Sequence, residues 1–80
     1  MHKHRVTSQN LSPACIYVSE LPNTHGWFIA TVLYTVPSGR DMGALELKNF
    51  TAQKIDVALD SAKKWIQSTY DNNAKFTQER

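Results

Sequence analysis

Three segments rich in β-forming residues predict the strands of a sheet. They cover residues 14–21, 27–36 and 42–49, and in the last of them leucines alternate with charged residues. The turn-forming sequences Pro22-Asn23 and 37–41 separate them. Because such short connections join antiparallel neighbours, the pattern predicts a three-stranded antiparallel meander.

A helical pattern follows the third strand. Apolar residues recur there at spacings of three and four, at Ile55, Ala58, Leu59, Ala62, Trp65 and Ile66. Thr51 is the expected N-cap, with Phe50 placed to pack on Ile55, and residues 71–73 are the expected end of the helix. We therefore predict an α+β fold of order β-β-β-α, with one C-terminal amphipathic helix on one face of the sheet.

The two ends of the chain carry no periodic pattern. Residues 1–12 are mostly polar and contain the basic run His2-Lys3-His4-Arg5, so we predict a flexible basic arm. Residues 72–80 are predicted to form a polar tail. A single domain over residues 13–71 remains between them.

One helix covers only one face of such a sheet. The alternation in the second strand therefore shows which side chains lie on the face without the helix. The predicted helix-facing row is uniformly apolar: Phe28, Ala30, Val32, Tyr34 and Val36. The opposite row still carries Trp27, Ile29 and Leu33, where an exposed face normally carries polar residues. Either the Ile16/Val18 row or the Cys15/Tyr17 row of the first strand joins it.

Three explanations account for that second apolar row. The face buries itself against a second copy or another protein, the ends of the chain fold over it, or the strand register is misjudged. On the first explanation, the predicted partner-binding residues of the open sheet face are Tyr17, Trp27, Ile29 and Leu33, together with the cations Arg40 and Lys48.

Composition and charge narrow the class of protein. The chain has 80 residues, is 41% hydrophobic and carries a net charge of +2, which fits a small folded domain. Its one cysteine excludes an internal disulfide. The first residues show no signal-peptide pattern, and the longest apolar stretch has about ten residues, against about 20 for a membrane span. We expect a cytoplasmic protein without membrane contact.

Candidate catalytic and metal-binding residues are few. His2, His4, Cys15 and His25 lack the spacing of a zinc site. Ser38 lies in Pro-Ser-Gly, which is not a nucleophile elbow, and three dispersed glycines form no phosphate loop. We therefore predict no catalytic residue, no metal and no cofactor, and a protein that is not an enzyme.

A nucleic-acid function is the alternative. The order β-β-β-α resembles the sheet and last helix of a double-stranded-RNA-binding domain, with Lys63-Lys64 as the basic part of its helix. Trp27 beside Arg40 and Lys48 is also a combination that stacks on single strands. A nucleic-acid-associated module would use these residues and the basic arm.

A second resemblance points to a different class. The run 26–32, Gly43-Ala44, Phe50-Thr51 and the helix residues Ala58, Ala62 and Trp65 resemble small phage and mobile-element proteins of the β-meander-plus-helix type, among them anti-CRISPR inhibitors. The resemblance implies a small non-enzymatic interaction module that binds a host protein complex and blocks it sterically. Many such inhibitors are acidic DNA mimics, and a charge of +2 departs from that mode.

Overall fold

The computed structural model describes residues 2–11 and 13–79. Its elements, in chain order, are β1 (His2–Thr7), β2 (Ala14–Glu20), β3 (Phe28–Thr35), β4 (Leu45–Ala52), α1 (Ile55–Thr69) and β5 (Lys75–Glu79). The predicted α+β class is confirmed. The predicted number of strands is wrong, because the sheet has five strands where three were expected.

The strands form one sheet in the order β4-β3-β2-β1-β5, and every neighbouring pair is antiparallel. The predicted meander is its β2-β3-β4 part. β1 pairs with the remaining side of β2, and β5 returns from the helix to pair with β1. The first and last strands of the chain therefore lie side by side.

The predicted flexible arm and polar tail are corrected within residues 2–11 and 72–79, where β1 and β5 form. Residues 1, 12 and 80 of those predictions lie outside the described residues. His4 and Val6 are buried on the helix side of β1, and Leu11 in the following loop has no exposed surface. β1 forms although its sequence has no apolar run. Strands on both sides satisfy its backbone hydrogen bonds, and two inward side chains anchor it to the core.

The boundary between β4 and α1 also differs from the prediction. Thr51 lies in β4, opposite Ile29, and does not cap the helix. The N-cap is Lys54, which makes no side-chain capping hydrogen bond. Because β3 offers partners as far as Phe28, opposite Ala52, the pairing of β4 continues past the predicted strand end.

The helix packs across β2, β3 and β4. Ala58, Ala62 and Ile66 are its buried residues, and the small alanines allow the helix to lie close to the sheet. The predicted helix-facing row of β3 is confirmed: Ala30, Val32 and Tyr34 are buried, and Phe28 and Val36 pack against the core. Within the described ranges, no helix has the length and apolar character needed to cross a membrane.

Aromatic rings fill one end of the layer between helix and sheet. Trp65 lies at the centre of this cluster, with ring centroids 5.4 Å from Tyr34, 5.5 Å from Tyr70 and 6.1 Å from Phe50. The tilted and edge-on geometries are those that aromatic pairs prefer. This packing fixes the last turn of α1 over β3 and β4.

Candidate functional site: the uncovered sheet face

The face of the sheet opposite α1 is formed by the odd-numbered strand residues, and we call it the uncovered face. One row crosses all five strands, at Leu47, Leu33, Cys15, Arg5 and Thr77. The Cys15/Tyr17 row of β2 therefore joins β3 here, while Ile16 and Val18 are fully buried on the helix side.

The ends of the chain do not fold over this face within the described residues. β1 and β5 continue the sheet sideways and add their own side chains to the same surface. The explanation that an arm or a tail covers the apolar row is therefore wrong for residues 2–11 and 13–79. What remains is a broad surface, five strands wide, with its side chains directed away from the core.

The apolar part of the face lies on β3 and β4. Leu45 is 67% exposed and Leu47 is 63% exposed, and Leu33 lies directly opposite Leu47 across the two strands. We call these three residues the leucine patch. An open depression of about 270 Å³ connects Leu33 and Leu45 with Arg5 and Glu79, so the patch continues toward the charged strands.

The charged part of the face lies on β1 and β5. Arg5 Nε and Glu79 Oε1 form an ion pair at 2.8 Å across the two strands. Lys3 Nζ lies 5.9 Å from the ring centroid of Tyr17 on β2. A hydrogen bond with the Cys15 side chain, on the same face of β2, is the main cause that raises the pKa of Tyr17.

Of the predicted site residues, the structure brings Tyr17, Ile29 and Leu33 together on the uncovered face, all half-buried. Trp27 immediately precedes β3 and is 37% exposed, and its carbonyl accepts a backbone hydrogen bond from Leu21 over 2.9 Å. Arg40 is exposed in the connection between β3 and β4, away from the strands.

Lys48 does not belong to the uncovered face. It lies opposite Val32, in the row that faces the helix. Its Nζ atom is 5.9 Å from the ring centroid of Phe50 and 6.0 Å from that of Trp65, at the rim of the aromatic cluster. Lys48 therefore lies on the other side of the sheet from the predicted site residues Ile29 and Leu33, because even-numbered residues of β4 point to the helix side.

Leu45 and Leu47 are the surface residues that sequence reasoning missed. Their alternation with Glu46 and Lys48 shows that each pair shares a face, but not which face is buried. The usual rule places leucines inside and charges outside. Here the leucines point to the uncovered face, and Glu46 and Lys48 point to the helix side but stay exposed at the edge of the sheet. Glu46 accepts a hydrogen bond from the Tyr34 hydroxyl at 3.2 Å, and Lys48 lies over the aromatic rings.

A second depression, of about 210 Å³, lies on the helix side, where His2, His4 and Gln78 meet Asp56 of α1. His4 is buried, and this burial is the main cause that lowers its pKa. Among the described residues, no three histidine, cysteine or acidic side chains are grouped as a metal site requires. The depression is thus lined by the imidazoles of His2 and His4 beside the carboxylate of Asp56.

Comparison with known proteins adds no relative. No family model matches the sequence, and no curated protein and no solved structure matches it either. A functional proposal for this chain therefore rests on the geometry of its own surfaces.

Proposed function

We propose that this protein is a small non-enzymatic protein-interaction module that binds a partner protein through the uncovered face, with the leucine patch at the centre of the contact. The observation that carries the proposal is the exposure of Leu45 and Leu47, 67% and 63%, beside Leu33. Folded proteins seldom leave contiguous apolar side chains in water unless these form a contact.

The surroundings of the patch support a protein contact. Stable interfaces have an apolar centre and a polar rim, and aromatic residues contribute much of the binding energy. Here the leucines are followed across the sheet by Cys15, with Tyr17 beside it on β2, and then by the charged pair Arg5 and Glu79. Lys3 and Lys75 add two further cations to the same rim, so we expect acidic groups around the apolar centre of the partner's surface.

We propose that the module acts by occupying its partner's surface, as the resemblance to small phage inhibitors implies. Steric blocking of this kind requires only that the module binds its partner and is large enough to cover the occupied surface. A net charge of +2 does not suit imitation of DNA, so the contact would use apolar burial.

The alternative of a nucleic-acid-binding module is less well supported by the placement of its residues. Lys3 and Arg5 of the predicted basic arm lie on the uncovered face, where Arg5 is paired with Glu79, whereas Lys48 lies on the helix side and Arg40 in a connection. A nucleic-acid site needs cations gathered along one surface. The capture experiment below distinguishes nucleic-acid binding from protein binding.

The test compares immobilised wild-type protein with a Leu45→Lys variant and a Val57→Lys control in a lysate of the source cells. Val57 is 51% exposed on the helix, so both variants add the same charge to an exposed apolar position. We expect a captured protein that the control retains and Leu45→Lys loses, with retention that persists after nuclease treatment and in high salt. Equal capture by both variants would contradict the proposal, as would nuclease-sensitive retention that falls steeply with salt.

A further inference from the structure

β4 is an edge strand whose outer backbone groups have no partner within the described residues. The Val36 amide donates to the Ala44 carbonyl over 2.9 Å. Because hydrogen-bonding directions alternate along an antiparallel strand, the even-numbered residues of β4 face β3. Its odd-numbered residues, among them Leu45, Leu47 and Asn49, direct their amides and carbonyls to the free edge.

This edge is open to pairing. β4 has eight residues, and its register with β3 runs without a bulge from Leu45 to Ala52. It contains no proline, and natural edge strands are usually protected by proline, bulges, short length or charge. Its two charges, Glu46 and Lys48, have opposite signs and lie one on each side of Leu47.

We propose that β4 pairs antiparallel with β4 of a second copy, in the register centred on Leu47. A register centred on Glu46 or on Lys48 would place like charges directly opposite each other. The register centred on Leu47 places each Glu46 opposite Lys48 of the other copy, and Leu47 opposite its own equivalent. Opposite charges facing across strands stabilise a pair and like charges destabilise it, so charge complementarity selects this register.

The resulting dimer goes beyond the proposed function, because it requires no foreign partner. It is a two-fold symmetric assembly with a continuous ten-stranded sheet, in which both helices lie on one side. The two leucine patches become neighbours on the opposite side. Self-pairing through the edge therefore leaves the uncovered face accessible and doubles its apolar centre.

Charge exchange tests the proposal in solution. Wild type, Glu46→Lys, Lys48→Glu and the double variant are compared by sedimentation velocity over a concentration series, with circular dichroism confirming the fold. We expect dimers of the wild type and the double variant, and monomers of each single variant alone. An equimolar mixture of the two single variants restores the complementary pairs and is expected to form a heterodimer.

Cross-linking tests the register. In a Cys15→Ser background, Leu47→Cys places two thiols on residues whose Cα atoms lie about 5.5 Å apart in the proposed pair, within disulfide range. Asn49→Cys is the control, because the same register separates its two copies by about 13 Å along the strands. We expect oxidation to cross-link the first variant and not the second. A wild type that stays monomeric at every concentration, single variants that still dimerise, or preferential cross-linking at position 49 would overturn the proposal.

Discussion

Ser8 and Asp71 connect the two ends of the chain: the Ser8 hydroxyl donates a hydrogen bond of 2.7 Å to Asp71 Oδ2. The same hydroxyl oxygen accepts the amides of Asn10 and Leu11, while Asp71 Oδ1 accepts the amide of Asn73. The Ser8 hydrogen bond is the main cause that lowers the pKa of Asp71. The loop after β1 and the turn before β5 are thus fixed to each other where the two strands meet.

Replacement of Ser8 by alanine is expected to destabilise the fold by about 1–2 kcal/mol, because it removes one donor and leaves loop amides without their acceptor. Urea unfolding followed by circular dichroism measures the free energy of unfolding. Ser68→Ala is the control, since its exposed hydroxyl donates to the helix carbonyl of Trp65, and we expect a change within about 0.5 kcal/mol. Equal effects of the two substitutions would contradict the role of Ser8.

Leu11 supplies a sharper test of the structured N-terminal region. It is fully buried although it follows β1 in a loop, so Leu11→Ala is expected to cost about 2–4 kcal/mol of unfolding free energy. Leu45→Ala removes the same atoms from a side chain that is 67% exposed, and its cost is expected to stay below about 0.5 kcal/mol. A Leu11→Ala variant as stable as Leu45→Ala would show that residues 2–11 do not pack on the core.

The central part of the fold could be predicted from the sequence because its signals are local. Alternation along β3 and the three-and-four spacing in α1 identify the buried faces of both elements. β1 and β5 could not be found in this way. Each carries one inward apolar residue, Val6 in β1 and Phe76 in β5, and each forms only because a partner strand distant in sequence is present.

The candidate site was predicted in part for the same reason. Ile29 and Leu33 follow from alternation in a strand that the sequence identifies clearly. Leu47 could not be predicted from alternation, because the face on which it lies depends on pairing with Leu33 and on the aromatic cluster beside Lys48. Sequence alternation shows which residues share a face, whereas the location of the helix decides which face is buried.

His4 makes the stability of the fold sensitive to acid. Burial, followed by the charges of Lys63 and His2, lowers its pKa below the ordinary value of 6.5, with Asp56 lining the same depression. Above pH 6.5 the imidazole is neutral in both the folded and the unfolded state. As the pH falls below that value, the unfolded state takes up the proton first, so the free energy of unfolding decreases until the pKa of the folded state is passed.

Thermal unfolding over a pH series measures this effect. We expect the loss of stability below pH 6.5 to be reduced in a His4→Gln variant, which has no proton to take up at that position. His25→Gln is the control, because the His25 side chain is fully exposed and its Nδ1 atom lies as far as 3.9 Å from Glu20 Oε1. A loss of stability in acid that persists in His4→Gln and disappears in His25→Gln would show that His4 does not cause it.

Tyr34 makes the stability of the fold sensitive to alkali. Burial, together with hydrogen bonds to Tyr70 and Glu46, raises the pKa of Tyr34 to about 12 from an ordinary value of 10.0. Above pH 10 the unfolded chain loses the phenolic proton first, so stability is fully present below that pH and is lost as the pH rises toward 12. Tyrosinate absorbance should show an ionisation step near 12 in the wild type that is missing in Tyr34→Phe and retained in Tyr17→Phe, whose phenol lies on the uncovered face. If Tyr17→Phe removes that step and Tyr34→Phe keeps it, the phenol of Tyr34 is not enclosed between helix and sheet.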